Sequence, residues 1–583
     1  MLQVPTRRRE LIKFANDLIE KCRVSAGIRA SYCRLFATLC ETGQQDGTRS
    51  NINLLYHHLD RTASNLFSPT DLKFSIDFEN DYPMEVLNRA NRVSNLLTKS
   101  FERTDTDIEF GQGVFESLKY GACFLKQWMH YDGWERSPVY HRKLVMPWHM
   151  GVYREDETDL SKQAVICETS MLSLPEVWQR IVRLPKAKQL FEQIKAHASP
   201  GAMSEEPSSF FHAVLSTAVL NTGVQQNTRP IPGGIVQLNN DPNYVMFGPQ
   251  IAIDVVKMHE LWIQDDSDYT TIQMIEPDII ISPAFIEGDD VIMKKQNLMI
   301  PGATQSKLHP YTLIQANKET NYIWGRSELA DLIKPQGQLS MWTADAEHLM
   351  GQQIDKVLAF TGFDGLTDER YGEFKANGYF NMNQGASVQD LTPAFPAELL
   401  PMIKNQIEVI NMLGGFPEIM QGKGESGVRA GVHANTLMKT GSPRLRDTSL
   451  RIERQCAAAG DKHLSIMEAK DPKKYWTDGK NVKTMEETSF LLTDIPDDRR
   501  VSVDSHSSSP IFMDDHQQLI VGGLRLGIVD KHDAIDDLPF PNKEMKHKRL
   551  REKEEKEAQL MRELAQRDPE ALEKIMAKKG ARR

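Results

Sequence analysis

Residues 397–437 read AELLPMIKNQIEVINMLGGFPEIMQGKGESGVRAGVHANTL. Ile403, Ile407, Ile410 and Leu413 recur at three- and four-residue steps, which predicts an amphipathic helix within 397–420. Pro401 is tolerable in its first turn, and Gly414-Gly415 is the stop signal. A glycine-rich loop follows, Gly422-Lys423-Gly424-Glu425-Ser426-Gly427, and helical spacing resumes from about Gly431 to Lys470 with a kink expected at Gly441-Ser442-Pro443. This order of helix, glycine loop and long helix matches no enzyme motif. A phosphate-binding loop needs Lys and then Ser or Thr directly after its last glycine, with a strand in front; here a helix precedes and Val428 follows. The loop reads equally as a plain interhelical connection or as a moving loop facing DNA. In the second reading Lys423 and Arg429 offer cations to a phosphate backbone, and Glu425 keeps the net attraction low.

Working outward, Ser327 is a candidate N-cap for a helix carrying Leu339, Trp342, Ala346, Leu349, Ile354 and Leu358, with a break expected at Pro335 and Gly337. Residues 361–396 form a turn-rich module with short strand candidates at Gly378–Met382 and Ser387–Leu391. Two helices therefore bracket a small mixed module. Upstream, Ala164–Thr169, Val255–Gln264, Thr270–Ile275, Ile279–Ile286 and Tyr311–Gln315 are short, β-branched or alternating, and so predict strands. Helices are expected near 174–198, and 199–243 reads as an exposed insertion rich in Ser, Pro, Gly and Asn. Helical spacing covers Arg7–Leu39, 51–66, 84–102 and Asp107–Leu125, so the first 130 residues read as largely helical. Residues 487–504 predict returning strands. Helix returns from Met513 into a charged tail with i,i+4 pairs such as Lys548/Glu552. The class expected is α+β, mainly helical, in several domains.

A chain of 583 residues with 40% hydrophobic content can bury sizeable cores. Its six cysteines (Cys22, Cys33, Cys40, Cys123, Cys167, Cys456) form no CxxC pair and have no regular spacing that suggests a disulfide framework or zinc site, and a reducing compartment is the simplest reading. No signal peptide or membrane span is expected. Net charge is -10, yet residues 543–583 carry 14 Lys plus Arg against 9 Asp plus Glu, leaving an acidic body unsuited to gripping duplex DNA.

Motifs that imitate catalytic ones fail on context. Gly111-Gln112-Gly113 lacks the third glycine of a dinucleotide fingerprint, His259-Glu260 lacks a second histidine four positions on, and Gly325-Arg326-Ser327 lacks the second glycine of a nucleophile elbow. Asp265-Asp266, Asp289-Asp290, Asp497-Asp498, Asp514-Asp515 and Asp536-Asp537 read as solvated turn residues, since two-metal catalysis needs carboxylates converging from separate elements. Trp324 reads as a packing anchor where the strand region enters a helix. No catalytic residue, cofactor or metal ligand is assigned.

Taken together, NYIWGRSELADLIKPQGQLSMWTADAEHLM (321–350), the segment after it to Pro396, and residues 397–437 resemble the portal proteins of tailed double-stranded DNA bacteriophages. INLLYHHLDRTASNLF (52–67), FESLKYGACFLKQWMH (115–130) and DDHQQLIVGGLRLGIVDKHDAI (514–535) are similar to the wing and to the approach to the crown. The resemblance implies a subunit divided into an N-terminal helical part of the wing (1–137), a strand-rich part (138–325), stem helix 1 (326–360), clip (361–396), stem helix 2 (397–420), tunnel loop (421–431), a long kinked wing helix (432–470), returning wing strands (471–510), and a crown with charged tail (511–583). It implies a homo-oligomeric ring, usually of twelve copies, at one capsid vertex, assembled in the host cytoplasm and retained in the virion without any membrane.

The implied partners are double-stranded DNA passing through the channel, the terminase large subunit, head-completion, adaptor or tail proteins, and the major capsid and scaffolding proteins. Lys423, Gly424, Glu425 and Arg429 are the implied tunnel-loop residues. Lys546, Lys548, Arg549 and Arg551 are the implied crown residues facing DNA, and Glu373 and Lys375 the clip residues meeting terminase and adaptors. Two other classes stay open: another structural virion component such as a tail or capsid subunit, and a terminase-like packaging enzyme, which the absence of a Walker A sequence disfavours.

Overall fold

The computed structural model describes residues 4–5, 7–45, 50, 52–69, 72–130, 139–182, 184, 186–200, 235–237, 245–247, 254–265, 268–282, 305–306, 308–354, 358–361, 385, 387–392, 394–414, 443–470, 476–480, 487–492, 495–496, 498–503, 520–526, 531, 534–535, 546, 549–550 and 553. The fold is mixed helix and sheet, as the α+β expectation requires. The chain opens with α1 (Arg8–Thr42), α2 (Leu55–Leu66), strand β1 (Phe74–Phe78), α3 (Met84–Arg103) and α4 (Thr106–Tyr120). Helix α1 ends where Gly43 enters the left-handed region at φ 76° and donates its N–H to the Leu39 carbonyl.

Helix α1 serves two cores. Its first half buries Leu11, Ala15, Leu18, Ile19 and Cys22 against a sheet, and its second half buries Cys33, Phe36, Leu39 and Cys40 among other helices. Arg29 sits where the two meet: its guanidinium donates to the carbonyls of Tyr120 (2.8 Å) and Trp324 (3.3 Å) and lies over the rings of Tyr32 and Trp324.

The expected helix over Asp107–Leu125 stops at Tyr120. Gly121 turns to φ 92°, and Cys123–His130 becomes strand β2, so the apolar run after Gly121 is a buried strand and not a further helical turn. Strand β2 is the centre of a three-stranded antiparallel sheet, between β13 (Tyr311–Ile314) and β3 (Val139–Val145). Strand β1 was not foreseen in the sequence. It pairs with β18 (Arg499–Val503), closing residue 74 onto residue 503.

A larger antiparallel sheet runs in the order β11 (Ile279–Ser282), β10 (Asp268–Ile275), β9 (Asp254–Asp265), β5 (Val165–Ser173), β4 (Met150–Val152). Two short strands flank it, β6 (Ser199–Pro200) on β9 and β12 (Gln305–Ser306) on β10. Further pairs are β7 (Ile235–Gln237) with β8 (Val245–Phe247), β14 (Leu358–Thr361) with β15 (Ser387–Asp390), and β16 (Trp476–Lys480) with β17 (Glu487–Phe490). Two helices follow β5. The first, α5 (Leu174–Ile181), starts with a capping box in which Glu176 Oε2 accepts from the Ser173 N–H at 2.8 Å, and α6 (Ala187–Lys195) comes next.

Three long helices follow, α7 (Ile333–Ile354), α8 (Leu399–Leu413) and α9 (Pro443–Lys470), and helical residues recur at 520–526 and in pieces beyond. Ser327 caps a single 3-10 turn, accepting from the Leu329 N–H, and α7 begins after it. The break expected at Pro335 and Gly337 does not occur. Pro335 is the third residue of α7, where an N–H has no intrahelical acceptor to lose, and nothing lies within 4 Å of where a Gly337 side chain would start. All six cysteines are buried, and none is in a disulfide. Burial pushes Cys22 and Cys33 up to about 12, so these thiols are unreactive at neutral pH.

Candidate functional site

Helices α7 and α8 form an antiparallel pair. The start of α7 and the end of α8 both meet the segment around residues 50–58, so the two run in opposite directions. The Gln336 amide donates to the Ile52 carbonyl at 2.7 Å, and Ser340 Oγ shares a 2.7 Å hydrogen bond with Ser50 Oγ. At the other end of the pair's base, a side chain at Gly414 would meet the His58 ring at 2.5 Å, so only glycine admits this approach. Between the helices, Gln406 Nε2 donates to the Pro335 carbonyl (3.0 Å) and to Gln338 Oε1 (3.2 Å). The chain that leaves α7 enters the β14–β15 pair and then returns into α8.

The buried face of α7 carries Leu339, Thr343 and Ala346, and its Leu339 and Ala346 share one apolar cluster with Ile403 and Ile410 of α8. The same seam continues at four-residue steps to Met350 and Ile354, which are 53% and 82% exposed. On α8, Met402, Met412 and Leu413 are exposed beside the buried Ile403, Gln406 and Ile410. Of the seventeen exposed large hydrophobic side chains among the described residues, eight lie between Met341 and Leu413. Charge is sparse here: helices of 22 and 15 residues hold only Lys334, Asp345, Glu347, Lys404 and Glu408, against 26% charged residues in the whole chain. Exposed methionine and leucine with few charges is the composition of a surface that another protein covers.

Most residues assigned from the sequence lie outside the described residues: Lys423, Gly424, Glu425 and Arg429 of the loop, Glu373 and Lys375 of the module, and Lys548 and Arg551 of the tail. Lys546 is half-buried and Arg549 exposed, both in helical pieces near the C-terminal end. The kink expected at 441–443 falls at the first described residue of α9.

The described residues include one cleft with enzyme-like chemistry on its wall, of about 770 Å³ and lined by Asn16, Ile19, Glu20, His197, His259, Met274, Glu276 and Pro277. His259 sits between Thr169 Oγ1 (3.0 Å) and Glu276 Oε1 (2.9 Å). The hydrogen bond from His259 and the Lys257 charge outweigh partial burial and hold the Glu276 carboxyl down at about 2. Thr169 is not among the residues facing the cleft, so this series presents no hydroxyl to a substrate there. Periodicity gave no sign of it: His259 and Thr169 are ordinary strand positions until β5 and β9 pair in register.

A half-buried lysine makes a testable point about stability. Lys462 of α9 donates to the Tyr311 carbonyl, with His309 Nδ1 3.5 Å away, and burial pushes it from an ordinary 10.5 down to about 7. Between pH 7 and 10.5 the unfolded chain therefore holds a proton that the folded chain has released. Stability rises with pH across that window, and the full penalty applies below it. Lys462→Met keeps the stem and deletes the charge. It is expected to stabilise the protein at pH 7 by on the order of 2 kcal/mol, after allowing for the lost hydrogen bond, and to flatten the rise toward pH 10. Thermal melts across that range measure this, and a variant melting below the parent at pH 7 contradicts it.

Among the described residues no group of three or more His, Cys, Asp or Glu side chains could hold a metal ion, and no helix is long and apolar enough to cross a membrane. No protein-family model matches the chain, and no curated protein matches it. Among solved structures the chain is similar to one in "Neck of native GTA particle computed with C12 symmetry", with 10% sequence identity and a TM-score of 0.34 over 83% of this chain and 89% of that one. A likeness of that size carries no argument about this chain.

Proposed function

We propose that this chain is a portal-type subunit, a structural protein without enzymatic activity that closes into a ring around a DNA channel at one capsid vertex. The observation that supports it is the α7–α8 pair, whose apolar seam passes from buried Leu339 and Ala346 to exposed Met350 and Ile354. A ring of identical copies meets such a seam with a different face of the next subunit, and rotation closes the contact. In this reading α7 and α8 are the stem, 361–396 is the clip that receives terminase and later the adaptor proteins, and 421–431 is the tunnel loop. The acidic body keeps DNA from being gripped as it passes.

Electron microscopy of the purified protein with two-dimensional averaging tests the ring. Rings with a channel wide enough for duplex DNA are expected, and their symmetry gives the copy number. Tubes or shells would instead indicate a tail or capsid subunit. Deleting Gly424–Gly427 tests the tunnel loop: particles carrying the deletion should assemble and package poorly or lose their DNA. Normal packaging and retention would remove the loop from the mechanism.

A further inference from the structure

Helix α3 turns one face to the core and the other to solvent. Ala90, Val93, Ser94, Leu97 and Phe101 are buried, the Phe101 ring packs 5.0 Å from that of Phe74, and Thr98 Oγ1 accepts from the Phe74 N–H at 3.1 Å. These contacts fix how the helix is rotated about its axis. At about 100° per residue, Arg89, Arg92, Lys99 and Arg103 then fall within an arc of about 80° on the side away from the core. Arg89, Lys99 and Arg103 are exposed, and Arg92 is half-buried. Exposed Asn88 and Asn95 border the same stripe.

The charge of this face runs against that of the chain, in which 80 acidic residues outnumber 70 basic ones. Helix α3 carries two carboxylates, Glu85 in its first turn and Glu102 outside the basic arc. Among the described residues, none of the four cations forms an ion pair. Such a stripe suits a polyanion, and three features favour duplex DNA. From Arg89 to Arg103 it is about 21 Å long, against a major groove about 12 Å wide, so its two ends reach phosphates of both strands. The asparagines add neutral donors for phosphate oxygens. The exposed large hydrophobic side chains of α3 are Met84 and Leu87, both ahead of Arg89, so the stripe has no apolar centre for a protein partner and no aromatic ring on which a single strand could stack its bases.

We propose that the Arg89–Arg103 face of α3 binds the phosphate backbone of duplex DNA without reading its sequence. Each phosphate that a cation neutralises releases condensed counterions, so four such contacts give a slope of about -3.6 in log K against log salt. Between about 50 and 200 mM salt that is a loss of about 150-fold. The acidity of the rest of the chain does not cancel a local face, because charges more than about one Debye length away are largely screened. This inference stands apart from the portal reading, since it needs neither a ring nor the glycine-rich loop.

Fluorescence anisotropy of a short labelled duplex, titrated with the full-length protein at several salt concentrations, tests it. The comparison is with a variant carrying Arg89→Gln, Arg92→Gln, Lys99→Gln and Arg103→Gln. The variant keeps the buried face of α3, so its thermal melt should match the parent's. It should bind the duplex more weakly, and its salt slope should be shallower by about 3 to 4, so that the parent's advantage shrinks about 150-fold between about 50 and 200 mM salt. The basic tail at 543–583 is intact in both proteins, so its contribution cancels. Equal affinity and equal slope overturn the proposal, as does a parent that binds no duplex. Tighter binding of a single strand of the same length also overturns it. A polyglutamate peptide that displaces the duplex at equal charge concentration would do the same and assign the face to an acidic protein.

Discussion

Gly121→Val is expected to leave the chain without a stable fold. Gly121 ends α4 at φ 92°, a conformation open to glycine and strained for a β-branched residue. An added Cβ would stand 2.6 Å from the Trp324 carbonyl oxygen and 3.1 Å from the Gly325 backbone. Neither atom belongs to a flexible side chain, so the clash cannot be relieved by a rotamer change. Gly325 is held the same way at φ 62°, its missing Cβ facing the Asn317 and Gly121 carbonyls at 2.6 and 2.8 Å. This crossing joins α4 to the strand that leads into α7, and Arg29 ties it from beneath through the Tyr120 and Trp324 carbonyls. Strain and clash together should cost more than about 4 kcal/mol, a large share of the stability of an ordinary domain. Soluble yield and thermal unfolding measure the effect. A Gly121→Val protein that melts within a few degrees of the parent would mean that the crossing is not held as described.

The second large effect concerns assembly. If the subunit closes into the proposed ring, replacing Met350 and Ile354 together by glutamate is expected to convert rings to single subunits without lowering the melting temperature of the subunit. Both side chains are more than half exposed in the lone chain, so the folded subunit loses little. In a ring they would be buried, and burial of two such side chains contributes at least about 3 kcal/mol per interface, roughly a hundredfold in association. Adding two carboxylates to an apolar contact weakens it further. Light scattering or mass photometry reports the change directly. Rings of normal size from the double variant would move the interface off this seam.

The elements that were legible in the sequence are those whose burial is local. Leu11 to Leu39, Val93 to Phe101 and Ile403 to Leu413 sit on single helices, so a period of 3.6 reveals the face that becomes buried. A glycine added one stop, Gly414 ending α8 where the sequence places it, whereas α1 runs three residues past its expected end at Leu39 before Gly43 stops it, a signal not read from the sequence. What failed was local reasoning at a change of element. Ala122–Leu125 is apolar throughout, which suits the last turn of a helix as well as a buried strand, and only pairing with β3 and β13 decides between them. Strand β1 was lost for the same reason, since five residues cannot establish alternation against a background of helices. Its partner lies more than 400 residues away.

The candidate assembly seam was half visible. Periodicity placed Leu339, Ala346 and Ile354 on one helix but could not say that the first two are buried and the third exposed. That distinction depends on what packs against each turn of α7, which the spacing of its own residues does not record. The mixed class of the fold, the two helices on either side of a short strand pair and the lack of familiar catalytic motifs were all legible in the sequence alone. These follow from side-chain spacing, turn chemistry and composition, all short-range. Tertiary structure alone decided which polar residues leave water. Glu168 and Glu260 are polar positions on two strands the sequence predicts and Lys126 directly follows a stretch it reads as helix, and they become one buried cluster only because β2 of one sheet meets β5 and β9 of the other. Burial of a charge depends on what arrives from elsewhere in the chain to replace its water, and no local pattern carries that information.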